Sequence, residues 1–400
     1  MPQTRPLLPF WVACLFVFTI FSRELGYTSI AGIDYDLIGY NFFILYFLTQ
    51  LRHFFLNQKI IVLLFILLIG SLASKIFLDM DFLPFWKQFI PITIIYLASY
   101  DVMCRYNYKS LFEIYVKIGY YTAVFGIIQF FAKLFFGLQI MTDYSQLFLD
   151  SIALEPSHYA IIIMPACIYT LYYFRVYKTQ AIVLAAALLL TTSSTAYLVL
   201  LVLLLIMYRR VQLLLIMAPL LYFVFNNVLL NYDKFYIRYM GFATYFETNN
   251  FNQVYAATSI SFLSNLEVAW AAIKANPIFG CGLGGHEEMY LRYFENSSFR
   301  FSYLYKLNAA SAHSLIIRIL SETGLIGFFF YLWALWKSLL LKADDYHRII
   351  SIACLSHFLG KALKLGGYFD YGTPFFAMIL LFNFLDYYAN RRSNEKTVVA

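Results

Sequence analysis

Residues 179–208 read TQAIVLAAALLL, then TTSS at 191–194, then TAYLVLLVLLLIMY. A helix needs about 20 apolar residues to cross a roughly 30 Å hydrocarbon core. This stretch is either one long tilted helix or two short ones broken at Thr191-Thr192-Ser193-Ser194. The break decides the architecture. With it the chain crosses a membrane twelve times and both ends share a side; without it there are eleven crossings and the ends separate.

The same apolar texture extends in both directions, at 7–22, 37–56, 60–78, 86–102, 112–136, 158–176, 210–230, 313–341, 346–364 and 373–389. The basic residues decide between the two counts, because cytoplasmic connections are enriched in Lys and Arg. Arg52 and Lys59, Arg105 and Lys109, Arg175 and Lys178, Arg209 and Arg210, Lys342 and Arg348, and the tail residues Arg391, Arg392 and Lys396 occupy alternate connections. Acidic connections such as Asp79–Asp81 and Asp143–Glu155 fall between them. This alternation supports the break after Thr191 and predicts cytoplasmic termini. The first apolar run lacks a small-residue cleavage site and reads as a retained span rather than a signal peptide.

Composition agrees. Of 400 residues, 62% are hydrophobic and 13% charged, too few charges to clothe a water-facing shell. The 42 Phe and 35 Tyr suit lipid contact and interfacial belts, and Tyr also offers flat faces to sugar rings. The net charge of +7 lies in short clusters between apolar runs, not in the single basic stripe of a nucleic-acid binder. The five cysteines form neither a disulfide framework nor a metal-ligand spacing. The expected fold is therefore all-α and polytopic, a single membrane domain of about twelve helices. Two connections are expected on the outer side, a long one at 231–312 and a shorter one at 137–157. Loops as long as the first are usually functional.

Three constellations could carry chemistry. The first, Asn276-Pro277-Ile278-Phe279-Gly280-Cys281-Gly282-Leu283-Gly284-Gly285-His286-Glu287, contains the spacing G-x-G-x-x-G but lacks the strand and βαβ unit of a dinucleotide site. It reads either as helix-stop punctuation or as a turn whose N–H groups, at Gly282 and Gly284, approach a phosphate. The second opens the span after the long loop: His313-Ser314, then Arg318 and Glu322 four residues apart on one helix face. Ionisable groups entering an apolar span point to function, against the plainer reading of a structural Arg–Glu staple. The third, Glu155-Pro156-Ser157-His158, begins another helix on the outer side, where Glu155 is either a cap or a site residue. Asp34-Tyr35-Asp36 and Asp79-Met80-Asp81 match the D-x-D form but read as solvated loop ends, with Asp34 and Asp36 a minor alternative.

At these residues the chain resembles the polysaccharide polymerase and O-antigen ligase superfamily (Wzy and WaaL). The ligase pattern of His, Asn/Ser/Gln, nine residues, Gly, two residues and Gly/Thr/Tyr is met by His313, Ser314, Gly324 and Gly327. The triplet Glu155-Pro156-Ser157 and the run Arg318-x-x-Ser321-Glu322 are more similar to the polymerases. The chain departs from the family at Ser193-Ser194-Thr195, often Ser-Arg there, and at Asn265, where an Arg is common. The resemblance implies a glycosyl transfer in a bacterial cytoplasmic membrane, independent of metal and cofactor. Oligosaccharide units linked to polyprenyl (undecaprenyl) diphosphate would be joined on the outer face, with a chain-length regulator and a flippase as partners. His313 is then expected to accept the acceptor's proton, with Glu322 or Glu155 as rivals. Arg318 is expected to meet the diphosphate, helped by Arg238, Arg292, Arg300, His158, Gly282 and Gly284. A ligase moving glycan to a lipid core is the alternative within the class. A glycolipid flippase or transporter is the alternative outside it, although the two related halves of many transporters are not evident here.

Overall fold

The computed structural model describes residues 8–25, 27–30, 33–51, 54, 57–138, 140, 148–153, 155–208 and 233–399. The expected span at 210–230 and parts of the loop 137–157 lie outside the described residues. In chain order the described helices are α1 (Phe10–Phe18), α2 (Leu37–Gln50), α3 (Gln58–Phe77), α4 (Leu83–Arg105), α5 (Tyr108–Phe136), α6 (Pro156–Tyr172), α7 (Lys178–Leu190), α8 (Ser194–Met207), α9 (Asp233–Thr248), α10 (Ala257–Ala275), α11 (His286–Tyr293), α12 (Leu315–Ser338), α13 (Asp345–Leu363) and α14 (Thr373–Val399).

Among the described residues the fold is all-α as expected, apart from one short hairpin. Strands β1 (Tyr27–Ile30) and β2 (Ile33–Asp36) pair antiparallel, with Tyr27 opposite Asp36. The D-x-D at 34–36 is therefore strand and helix cap rather than loose loop. The Asp36 side chain accepts from the N–H groups of Ile38 (3.1 Å) and Gly39 (2.8 Å), two of the donors a helix start leaves unsatisfied.

Three of the described helices, α3, α5 and α12, are long and apolar enough to cross a membrane, and α2, α7 and α8 are shorter apolar helices. Twelve spans are thus matched only in part. At about 1.5 Å per residue, the nine described residues of α1 fall well short of a bilayer. The break at Thr191 is real: α7 stops at Leu190, Thr192 turns left-handed (φ 52°), and the Ser193 hydroxyl accepts from Ala196 N–H to start α8. On α3 the residues Ile61, Val62, Leu63, Phe65, Ile66 and Ile69 are exposed, a surface suited to lipid rather than water.

Helices α6 and α13 form the centre, and α6 is buried from Tyr159 to Thr170 on every face. The two approach closely at Gly360, where a Cβ would come within 2.9 Å of the Ile161 side chain. Pro165 interrupts α6, and the Tyr115 hydroxyl of α5 enters the gap. It donates to Ile162 O (2.6 Å) and accepts from Ala166 N–H (3.3 Å), so the broken ladder stays satisfied.

Helix α12 is broken at Gly324 (φ 62°, ψ −160°). Backbone from the Asn276–Cys281 turn closes the gap. Cys281 N–H donates to Ser321 O (2.7 Å), and Leu325 N–H donates to Pro277 O (2.9 Å). The glycine-rich turn thereby splints the helix whose first two turns carry Arg318 and Glu322. The long connection is itself folded. Helices α9 to α11 enclose a small core of Tyr245, Phe251, Ile260, Leu263, Tyr290 and Phe299, and α10 packs against α12.

Candidate active site

One short segment joins residues that are far apart in the chain. Between α13 and α14 the sequence runs Lys364-Leu365-Gly366-Gly367-Tyr368-Phe369-Asp370-Tyr371-Gly372. Its first three residues reach three sites in turn. Lys364 Nζ lies 2.6 Å from a Glu155 carboxylate oxygen and donates to Ser157 Oγ (2.6 Å). Leu365 N–H donates to His313 O (2.8 Å), and Gly366 O accepts from Arg318 Nη1 (3.2 Å). Further on, the Tyr368 hydroxyl donates to Glu322 Oε2 (2.9 Å) and its ring lies under the Arg318 guanidinium (4.8 Å).

The segment is anchored from beneath. Lys361, wholly buried at the end of α13, donates to Gly367 O (2.5 Å) and Thr373 Oγ1 (2.7 Å) and pairs with Asp370. Arg23, in the turn after α1, places a second cation near Asp370. A buried charge this well bonded fixes geometry more surely than it adds stability.

The expected residues divide into two sets. Glu155, His158, His313, Arg318 and Glu322 are brought to this one end of the bundle. Glu322 is the most enclosed, 1% exposed, with one oxygen 3.4 Å from Arg318 Nε and the other taken by Tyr368. Glu155 is 40% exposed at its side chain. Burial alone would raise its carboxyl; the Lys364 charge, with the hydrogen bonds from Lys364 and Ser157, outweighs that and holds it below the usual range. His313 stands just ahead of α12 with a left-handed backbone (φ 60°), and its Nδ1 meets Ser261 Oγ at 2.8 Å. A bulky residue held there signals a locally constrained turn.

The second set lies elsewhere. Arg238 is exposed on α9, and Arg300 is exposed on the turn Ser298–Phe301. Arg292 is occupied by Glu288 (2.6 Å) and by the carbonyls of Leu78 and Asp79. Gly282 and Gly284 pack on α3 and the start of α4; a Cβ on Gly284 would stand 2.4 Å from Pro84 O. Their backbone is committed to packing.

Several functional candidates escaped the sequence reading: Arg23, Glu24, Lys361, Lys364, Tyr368, Asp370, Tyr371 and His286. The signal for most was a charged, Tyr- and Gly-rich connection between two apolar runs. His286 instead closes the glycine-rich stretch, where the glycines alone carry a functional reading. It is wholly buried, with Nε2 2.9 Å from Asn265 Oδ1 and Nδ1 2.7 Å from Ser321 Oγ. Asn265 Nδ2 donates to Ser261 O (2.6 Å), so its Oδ1 is free to accept from His286. Burial, and after it the Arg318 charge, pushes His286 down to about 3 and leaves the ring neutral. Asn265, where the resembled family often carries Arg, thus holds His286, and the His286–Ser321 contact links the folded loop to α12.

No curated protein matches the chain significantly. Residues 180–332, which carry His286, His313, Arg318 and Glu322, match the family model described as O-Antigen ligase, and this supports the chain's likeness to the O-antigen ligase-like superfamily.

Proposed function

We propose that this chain is a polymerase. It would transfer one polyprenyl-diphosphate-linked oligosaccharide unit onto another at the outer face of the bacterial cytoplasmic membrane, through a twelve-span protein with both termini inside. The observation that carries this reading is the segment 364–366, whose consecutive residues touch Glu155, His313 and Arg318. Two cations, a histidine pair and a half-exposed carboxylate thus share one end of the bundle beside a folded loop.

That arrangement suits the reaction. As the sugar's bond to the diphosphate breaks, charge grows on the leaving oxygen, and Arg318 with Lys364 can neutralise it. The acceptor hydroxyl must lose a proton, and Glu155, His158 and His313 form the rim able to take it. Neither step calls on a metal. The Glu-Pro-Ser triplet favours the polymerase; the description of the matched family favours a ligase.

The surface glycan of a deletion strain separates these. Loss of a polymerase leaves single repeat units on the lipid core, and that is the expected gel pattern. A core with no glycan would point to the ligase, and an unchanged ladder would refute both.

A further inference from the structure

We infer that His158 is the group that takes the acceptor's proton, and that Glu24, from the turn after α1, is its positioning residue. This rests on the glycosyl-transfer reading above.

The geometry is that of a carboxylate–histidine pair. Glu24 Oε1 lies 2.7 Å from His158 Nδ1, and the Tyr371 hydroxyl donates to the same oxygen. A carboxylate only accepts, so Nδ1 carries the ring proton, and in the neutral imidazole the lone pair sits on Nε2. Nε2 points toward the rim, 3.5 Å from Glu155 Oε2, and the His158 side chain is 14% exposed. Tyr371 also packs on the ring, with centroids 5.1 Å apart. The imidazole is therefore fixed in tautomer and direction before substrate arrives.

The other rim groups are worse placed. Glu155 is held as a weakly basic carboxylate by Lys364. Behind its Nδ1, His313 has a neutral hydroxyl, that of Ser261. A neutral partner does little for an imidazolium, whereas the Glu24 charge stabilises one directly. The Glu322 carboxylate is enclosed by Arg318 and Tyr368.

The step balances. The acceptor oxygen forms its bond to the anomeric carbon as its proton passes to His158 Nε2. The bond from that carbon to the diphosphate oxygen breaks, and the electron pair leaves with the diphosphate toward Arg318. The imidazolium, paired with Glu24, returns its proton to water after release.

The test uses the full chain, purified and reconstituted in lipid vesicles. Its substrate is lipid-linked repeat units isolated from a strain lacking the protein. His158→Ala should slow elongation about 100-fold or more, in the range of a lost general base, and added imidazole should restore part of the rate. Glu24→Gln, which preserves size, should lower kcat with little change in KM. A residue acting only through His158 contributes nothing once His158 is gone, so Glu24→Gln should add no further loss in the His158→Ala background. Full elongation by His158→Ala overturns the inference, and so do additive losses in the double variant. If the unaltered protein elongates nothing, the polymerase reading falls first; if it elongates and the two variants behave normally, only this inference falls.

Discussion

Arg318→Ala is expected to slow elongation by about 10²–10³-fold, the usual loss when a group stabilising transition-state charge is removed. Arg318 is buried and engaged on three sides: Gly366 O at 3.2 Å, Glu322 at 3.4 Å and the Tyr368 ring at 4.8 Å. Its removal also strands the Glu322 carboxylate, which costs about 3–5 kcal/mol in a buried pair. A fall in rate alone would therefore be ambiguous. Arg318→Lys keeps the charge but loses the planar fork that bonds a carbonyl while stacking on a ring. It should melt close to the unaltered protein in detergent yet remain strongly impaired. Glu322→Gln in the Arg318→Ala background should recover stability without recovering rate. If Arg318→Lys elongates normally, the guanidinium is structural only.

Gly324→Ala is expected to destabilise the purified protein by about 3 kcal/mol or more, through backbone strain of about 1–3 kcal/mol plus steric overlap. At φ 62° and ψ −160° the backbone is in a region almost exclusive to glycine. A Cβ there would stand 2.5 Å from Ile278 O and 2.6 Å from Gly280 N. The turn would have to withdraw, freeing the carbonyls and N–H groups that splint α12 and moving Arg318. Gly137 provides the comparison. It too is left-handed (φ 66°), but a Cβ would meet nothing within 4 Å, so Gly137→Ala should show strain without the clash and melt much closer to the unaltered protein. Equal melting of the two alanine variants would contradict the splint.

Much of this architecture is legible in the chain. The apolar runs near 60–78, 112–136 and 313–341 correspond to α3, α5 and α12, and the TTSS stretch does part α7 from α8. Composition cannot measure α1, because apolar residues continue past its last turn at Phe18 into a bend. The hairpin at 27–36 carries mixed polar residues that look like loop until Asp36 is seen capping α2. The glycine cluster was readable as a turn, but not as the partner of a helix break more than forty residues downstream.

At the site the same limit applies. Local patterns single out Glu155, His158, His313, Arg318 and Glu322 because each stands at the edge of an apolar run. Glu24, Lys364 and Tyr371 become meaningful only when the fold sets them beside residues 134 to 347 positions away. The loop arginines at 238, 292 and 300 stand outside the apolar runs in sequence, unlike Arg318, and in the fold they are exposed where Arg318 is buried.

Everything proposed about substrate depends on which side of the membrane the folded loop occupies. Tyr303, 86% exposed on that loop, can be replaced by cysteine; Cys281, Cys167 and Cys354 are buried, and the partly exposed Cys14 and Cys104 fall in the first apolar run and in a connection expected on the cytoplasmic side. In intact spheroplasts, a membrane-impermeant maleimide should label Tyr303→Cys and leave the unaltered protein unmarked. Labelling that appears only after the cells are broken would place the loop in the cytosol and contradict an outer-face polymerase.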